Sequence, residues 1–348
     1  MTLEAETLTD PAVMRRDLPS YARLLEGSSD GSVFLRMEWL GAWWAHYGKG
    51  RLLQATEVRE GGRLVGYGLF MATEMGKLVK TRKLEFVGAG HSDLLGIVAE
   101  NDRVEVIDAV LDQVIEGSTW DIGEFRDVRQ YGPTAGRVLE RFPLAEVSEE
   151  NSPCITVRPS FQDYLSSLSQ NARHNMGTCR RTLDNLEASF VRIADRDSIP
   201  IALEEFFRLH EMRWSKKAED SILTAQMRDF LRDAIRRFAH TGIPVIHALM
   251  IGEKTISMCL GFEYRNRYLY YLSGFDPAYL RYGPGRCLLS KVIEEAHERG
   301  LKDVDLLRGD EEYKYHLGAE NRSNLIVKVR RPSFKARIMD SAIYKRSR

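Results

Sequence analysis

Apolar and polar residues alternate over residues 256–262, in the second half of the chain. A period of two is typical of a β-strand with two distinct faces. An apolar run at 245–251 precedes this strand, and the residues at 252–254 provide a turn between the two. The pattern therefore predicts a β-hairpin.

The pattern after the hairpin predicts a third strand, a helix and a fourth strand. The third strand spans 268–273, and a loop follows at 274–285. Apolar residues at helical spacing then run from 288 to 296, before Gly300, a residue type that commonly ends helices. A short apolar run at 304–307 begins the next strand.

The first half of the chain repeats this order. Strand patterns at 53–58, 64–71 and 84–87 precede an amphipathic helix at 104–115 and a further strand at 120–125. Two copies of β-β-β-α-β predict two similar α/β domains.

Prolines punctuate the stretch between the two copies, and the boundary is placed near Asn151. We expect one domain at 1–150, a second at 151–330 and a basic C-terminal tail at 331–348. Helical patterns precede the second hairpin at 161–168, 203–214 and 227–238.

Charge and motif content narrow the possible functions. Lys plus Arg number 50 and Asp plus Glu number 50, so the formal net charge is zero. A protein that binds nucleic acid through its overall field is strongly basic, so tRNA is disfavoured as a partner. The basic tail carries interleaved apolar residues, and either contacts an anionic membrane or RNA or is solvated.

Cysteine spacing and hydropathy indicate a cytoplasmic protein. The four cysteines have no C-x-x-C spacing, and we interpret them as reduced thiols. The N-terminus is acidic, and no run of about 18 apolar residues occurs, so neither export nor membrane spanning is expected. Histidine pairs of metallohydrolases and the G-x-S-x-G motif are missing from the sequence, so no metal is expected.

A glycine-containing loop at 279–286 lies between the predicted third strand and the following helix. Gly283 and Gly285 let the backbone approach a ligand closely, and the amides and dipole of a helix start favour an anion such as a pyrophosphate. Arg281 and Arg286 add positive charge. The alternative is a simple turn before a helix.

This order of elements, with that loop, resembles the GNAT acyltransferase superfamily. The family binds the pyrophosphate of acyl-CoA on an R/Q-x-x-G-x-G/A loop. Residues 280–285, LRYGPG, match both glycines, whereas the basic first residue is shifted by one position to Arg281.

A closer resemblance is to the CelD-like or FemAB-like branch, in which two GNAT-like domains lie in tandem. It implies an α/β (α+β) fold in which each domain has a mixed, mostly antiparallel sheet flanked by helices. The segments that carry it are Tyr164-Leu165, 171–175 (NARHN), 209–214 (LHEMRW), 273–277 (SGFDP), 283–285 (GPG) and 307–314 (LRGDEEYK).

The resemblance also implies roles for single residues. Backbone groups near Ser273 and Gly274 would bind the pantetheine arm of the donor. Asp276 would act as a base or orient the acceptor, although an aspartate before a proline also starts turns. Lys314, beside Tyr313, would place a fixed positive charge on the oxyanion or the leaving group, unless it is a solvated surface lysine.

Other residues are candidates for binding the acceptor. Arg173 lies in a basic helical run that borders the acceptor cleft in this branch. The loop at 88–93, with His91 and Asp93, resembles a family segment, and Trp214 and Asp310 belong to the matching motifs.

The leading interpretation is an acyltransferase that moves an acyl group, acetyl in the first instance, from acyl-CoA. The acceptor is an amine or hydroxyl of a small molecule, a sugar or a cell-envelope precursor. Two alternatives stay open: transfer of an aminoacyl group from charged tRNA, and a non-catalytic ligand-binding module.

Overall fold

The computed structural model describes residues 2–76, 80–117, 120–214 and 222–331. Two compact units divide the chain. One contains the residues up to Glu150 and the segment that begins at Ser323, and the other contains Asn151–Arg322. The predicted tail, apart from Arg331, lies outside the described residues.

The first unit is built on a mixed sheet of strand order β1-β2-β3-β4-β6-β13. Strands β4 and β6 are parallel, and α3 crosses between them. The elements are β1 (Leu3–Leu8), α1 (Leu18–Gly27), α2 (Met37–Tyr47), β2 (Arg51–Glu60), β3 (Arg63–Met75), β4 (Thr81–Phe86), β5 (Val98–Ala99), α3 (Val104–Glu116), β6 (Ile122–Arg129), α4 (Pro133–Arg141) and β13 (Glu320–Arg330).

The second unit has the sheet order β7-β12-β11-β10-β9-β8, with β7 contributing from Asn151 onward. Here β11 and β12 are parallel, and α9 crosses between them. The elements are β7 (Glu146–Thr156), α5 (Phe161–Ser167), α6 (Gln170–Asn185), β8 (Ala188–Ile193), α7 (Ser198–Trp214), α8 (Ala225–Arg237), β9 (Pro244–Ile251), β10 (Lys254–Tyr264), β11 (Arg267–Phe275), α9 (Pro284–Glu298), β12 (Asp303–Asp305) and α10 (Glu312–Tyr315).

Both faces of the second sheet are covered by helices. Val245 and Leu249 of β9 belong to one buried apolar cluster with residues of α5, α6 and α9. On the other face, Phe262 of β10 contacts Phe238, which directly follows α8. Side chains alternate between the faces of a strand, so each strand contributes to both layers.

The repeat predicted from the hydrophobic pattern is present, since each unit has an antiparallel three-strand meander, a crossing helix and a parallel strand. The basic run at 171–181, expected to be helical, lies in α6, which Ser169 caps by accepting from the Ala172 amide. Two features differ from the predicted pattern. A 3-10 helix, Pro277–Tyr282, occupies part of the predicted loop. The residues from Ser323 to Arg330 pack with the first unit, whereas the predicted second domain extends to 330.

Two further observations concern membrane-spanning helices and the cysteines. Within the ranges given above, no helix combines the length and apolar character needed to cross a membrane. The four cysteines are buried free thiols.

Candidate active site

Strands β11 and β12 separate after a short parallel pairing. They are paired at Arg267, Tyr268 and Leu269, and within the described chain β12 ends at Asp305 while β11 continues to Phe275. The register with β10 shifts beside Tyr271, which is the extra residue of a β-bulge and increases the local twist. The second half of β11 therefore has an edge whose backbone groups can bond to a ligand.

A cavity of about 140 Å³ lies at this separation. Residues of α7, β11, the loop before α9, the start of α9 and α10 line it together. They are Arg213, Tyr270, Ser273, Phe275, Leu280, Gly283, Pro284, Gly285, Arg286 and Tyr313.

The start of α9 supplies an anion-binding wall. Gly283 has a φ of 61°, in the left-handed region that favours glycine, and ends the 3-10 helix just before Pro284 begins α9. Among the described side chains, none caps this helix start. The first amides of a helix have no intrahelical acceptor, so the Gly285 and Arg286 amides can donate to an anion, and the Arg286 side chain adds positive charge.

Arg213 is held in the cavity by a close approach of α7 to β11. A Cβ at Gly274 would lie 2.4 Å from the His210 backbone nitrogen, so a glycine is needed where the helix touches the strand. One helical turn further on, the Arg213 Nη1 donates to the Ser273 carbonyl oxygen at 3.1 Å and to its Oγ at 3.0 Å. The guanidinium lies over the rings of Trp214 and Phe275.

Two tyrosine hydroxyls line the same cavity. Burial raises the pKa of Tyr313, and the Glu311 carboxylate adds to the effect. Burial also raises the pKa of Tyr270 well above its usual value. Both phenols therefore stay protonated at neutral pH and can donate a hydrogen bond or a proton.

Five of the predicted site residues are brought together here: Ser273, Gly283, Gly285, Arg286 and Tyr313. Gly274 supports the cavity from behind, through its contact with α7. Arg281 is not among the lining residues, since its guanidinium lies over the Tyr282 ring, 4.6 Å from the centroid. The cation at the loop is therefore Arg286.

Asp276 caps a turn, which was the alternative to a catalytic role. Its Oδ1 accepts from the Ala278 amide at 2.9 Å, and its Oδ2 pairs with the Lys254 Nζ at 2.8 Å. The bond from Lys254 lowers the pKa of the Asp276 carboxyl, so it is a weak base. Asp276 is not among the residues that line the cavity.

Lys314 is also placed differently from the expectation of a reactive ammonium. The side chain is buried, and its Nζ donates to the carbonyl oxygens of Leu307, Arg308 and Gly309 at 3.4, 2.9 and 3.2 Å. The Glu311 carboxylate pairs with it at 2.9 Å. Leu307 and Gly309 have positive φ angles, so this turn points its carbonyls inward, and Lys314 satisfies them.

The remaining candidates of the second unit lie outside the cavity lining. Arg173 is exposed on α6 and donates to the Ser166 carbonyl oxygen. Asp310 accepts from the Tyr315 hydroxyl at 2.6 Å, and Trp214 stacks with Arg213 at the end of α7.

His91 and Asp93 lie in the first unit and have structural contacts there. The His91 Nδ1 accepts from the Trp43 indole at 3.0 Å, and its ring stacks on Tyr47. Asp93 is buried, and its carbonyl oxygen accepts from the Asn324 amide. The loop at 88–93 is thus anchored to the core of its own unit.

Two polar side chains that line the cavity were not predicted as site residues, Arg213 and Tyr270. Arg213 belongs to the LHEMRW segment, and the feature that could have indicated it is a charged residue next to the apolar stripe of a helix. Tyr270 belongs to the predicted third strand and gave no signal of its own. No cluster of three or more His, Cys, Asp or Glu side chains suited to a metal ion occurs in the described ranges.

Comparison with known families identifies the class of this site. Residues 170–315 match the family model of the acetyltransferase (GNAT) domain, which covers the whole cavity. The second half of the chain therefore carries a domain of the GNAT acetyltransferase type. The resemblance seen in the sequence is thereby confirmed.

Solved structures extend the similarity to almost the whole chain. FemX has a TM-score of 0.64 and 11% identity, over 93% of this chain and 96% of that one. A protein of unknown function from Bacteroides thetaiotaomicron VPI-5482 has a TM-score of 0.59 and 11% identity, over 95% of this chain and 100% of that one. These similarities establish the fold, and the predicted fold class is confirmed. The search of curated protein sequences found no significant match.

Proposed function

We propose that this protein transfers an acyl group, acetyl in the first instance, from acyl-CoA to an amine or hydroxyl acceptor, with the pyrophosphate and adjoining pantetheine of the donor at the 140 Å³ cavity. The observation that carries the proposal is the arrangement of an uncapped helix start, a separated strand edge and a buried phenol around one cavity. The α9 amides and Arg286 would hold the pyrophosphate, and the edge of β11 would bond to the pantetheine amides.

The chemistry assigned to the side chains follows from their charge and protonation. An attack on a thioester develops negative charge on the carbonyl oxygen and then on the leaving sulfur. Arg213 keeps a positive charge beside the cavity. Tyr313 keeps its proton because burial raises its pKa, and it would donate that proton to the leaving thiolate.

Calorimetric titration with coenzyme A and acetyl-CoA, together with assays of coenzyme A release over a panel of amines and hydroxyl compounds, tests the proposal. We expect Arg286→Gln to weaken donor binding by about 10- to 100-fold, since a charge-assisted hydrogen bond contributes about 1.5–3 kcal/mol. Arg281→Gln is the matched control, because Arg281 lies outside the cavity lining, and it should bind like wild type.

The result that would overturn the proposal is equally specific. Failure of every acyl-CoA to bind, with transfer from aminoacyl-tRNA instead, would assign a different donor to the same fold. Binding without product from any acceptor would favour the non-catalytic module.

A further inference from the structure

A second and larger cavity lies in the same unit, between α5, α6, β8 and α9. Its volume is about 680 Å³, and it shares no lining residue with the donor cavity. Six apolar side chains form much of its lining: Phe161, Leu165, Met176, Leu183, Ala188 and Phe190. We call it the α6–α9 groove.

The apolar lining belongs to the folded core of the unit. Met176 and Leu183 are buried in the apolar cluster of this unit, and Phe161, Leu165 and Phe190 pack against that cluster while partly exposed. The Phe190 ring stacks on His247 at 5.3 Å with an interplanar angle of 8°. The groove is therefore preformed, and it leaves apolar surface in contact with water.

Charged side chains of both signs line the groove, the basic Arg173, Arg180 and Lys291 and the acidic Asp184 and Glu294. Arg173 and Arg180 are two helical turns apart on α6, roughly 10 Å along its axis, and Lys291 faces them from α9. Lys291 pairs with Glu294, and Arg173 donates to a backbone carbonyl. For Arg180, no hydrogen-bond or ion-pair partner is present among the described residues.

A glycine keeps the α6 wall open. Gly177 lines the groove, and a Cβ built there would meet the Arg181 Nη1 at 3.4 Å, the end of a flexible side chain. A larger residue at 177 would therefore fill the groove without a backbone clash.

We propose that the α6–α9 groove binds a single-chain amphiphile with a phosphate head, with the chain on the apolar residues and the phosphate at Arg180. A wholly polar metabolite would leave the apolar surface unmatched, and a neutral hydrocarbon would leave the guanidinium without a counter-charge. Arginine suits phosphate because its planar donors match two phosphate oxygens. This inference goes beyond the proposed acyl transfer and does not depend on it.

Calorimetric titration with dodecyl phosphate below its micelle-forming concentration tests the proposal. We expect saturable binding, weakened about 10-fold or more both in Gly177→Leu, which fills the groove, and in Arg180→Gln, which removes the head contact. Gly136→Leu and Arg236→Gln are the matched controls. Gly136 is a helical glycine of α4 with open space at its Cβ, and Arg236 is an exposed arginine of α8 that does not line the groove.

Three further titrations show whether binding needs both the phosphate and the chain, and whether it occurs at the groove rather than at the donor cavity. Inorganic phosphate and dodecanol should each bind at least 10-fold more weakly than dodecyl phosphate, and Arg286→Gln should bind it like wild type. Equal binding to wild type and to Gly177→Leu, or no binding to wild type, would overturn the proposal. A thermal unfolding curve for each variant shows whether a loss of binding comes from misfolding.

Discussion

The contact between α7 and Gly274 predicts that one added methyl group disturbs the candidate active site. A Cβ at 274 would lie 2.4 Å from the His210 nitrogen, 2.7 Å from its Cα and 2.8 Å from the Leu209 carbonyl carbon. These are backbone atoms inside a helix, so no rotamer change relieves the clash. Taking 3.4 Å as ordinary contact, 3.4 minus 2.4 gives a displacement of 1.0 Å between α7 and β11.

Two costs follow for Gly274→Ala. Overpacking of this kind lowers the free energy of unfolding by about 1–3 kcal/mol. Alanine also reduces the conformational entropy of the unfolded chain, which offsets about 0.4–1 kcal/mol of this loss. The net loss is therefore between zero and about 2.6 kcal/mol. A shift of 1.0 Å at His210 also moves Arg213 out of hydrogen-bond reach of Ser273, and misplacement on that scale can cost about 100-fold in turnover.

Urea denaturation followed by tryptophan fluorescence measures the first effect, and coenzyme A titration and turnover measure the second. Gly136→Ala is the control, since nothing lies within 4 Å of a Cβ there, and this exposed helical position should gain about 0.5–1 kcal/mol. If Gly274→Ala is as stable and as active as wild type, the close approach of α7 does not position Arg213.

Three further predictions concern single side chains. Tyr313→Phe should keep donor affinity and lower turnover by about 100-fold or more, in steady-state assays, if Tyr313 is the proton donor; unchanged turnover would exclude that role. Lys314→Met should lose about 2–4 kcal/mol of stability in denaturation experiments, because three carbonyl oxygens lose their donor; an equally stable variant would contradict the structural role. Burial lowers the pKa of His210 from 6.5 to about 4, so between these pH values the unfolded chain binds more protons than the folded chain. The free energy of unfolding should therefore decrease as the pH is lowered from 6.5 to 4, by about 3 kcal/mol at most. His210→Gln should flatten this part of the pH–stability curve relative to the exposed-site control His240→Gln, and identical slopes would refute the assignment.

Much of the fold could be read from local patterns. The alternation at 256–262 predicted β10, since one face of that strand packs on α9 and the other contacts α7 and Phe238. Apolar residues at helical spacing from 288 to 296 predicted α9, and Gly283, predicted in the loop before it, has the left-handed conformation just ahead of the helix. Repetition of the same order in both halves predicted two units of one architecture.

The contacts of Lys314 and the position of Arg213 could not be predicted from local sequence patterns, because they depend on the three-dimensional structure. Lys314 follows a turn whose positive φ angles at Leu307 and Gly309 direct carbonyls toward it, and those angles cannot be read from residue types alone. Arg213 reaches Ser273 because Gly274, 61 residues later in the chain, lets α7 approach β11. Such long-range contacts determine which charged residues of a motif enter the cavity.

A crystal structure of the protein with bound coenzyme A tests the donor site most directly. We predict pyrophosphate oxygens within hydrogen-bond distance of the Gly285 and Arg286 amides, and pantetheine amides bonded to β11 beyond Leu269. Coenzyme A bound elsewhere in the molecule, with those two amides free of it, would contradict the assignment of this cavity as the donor site.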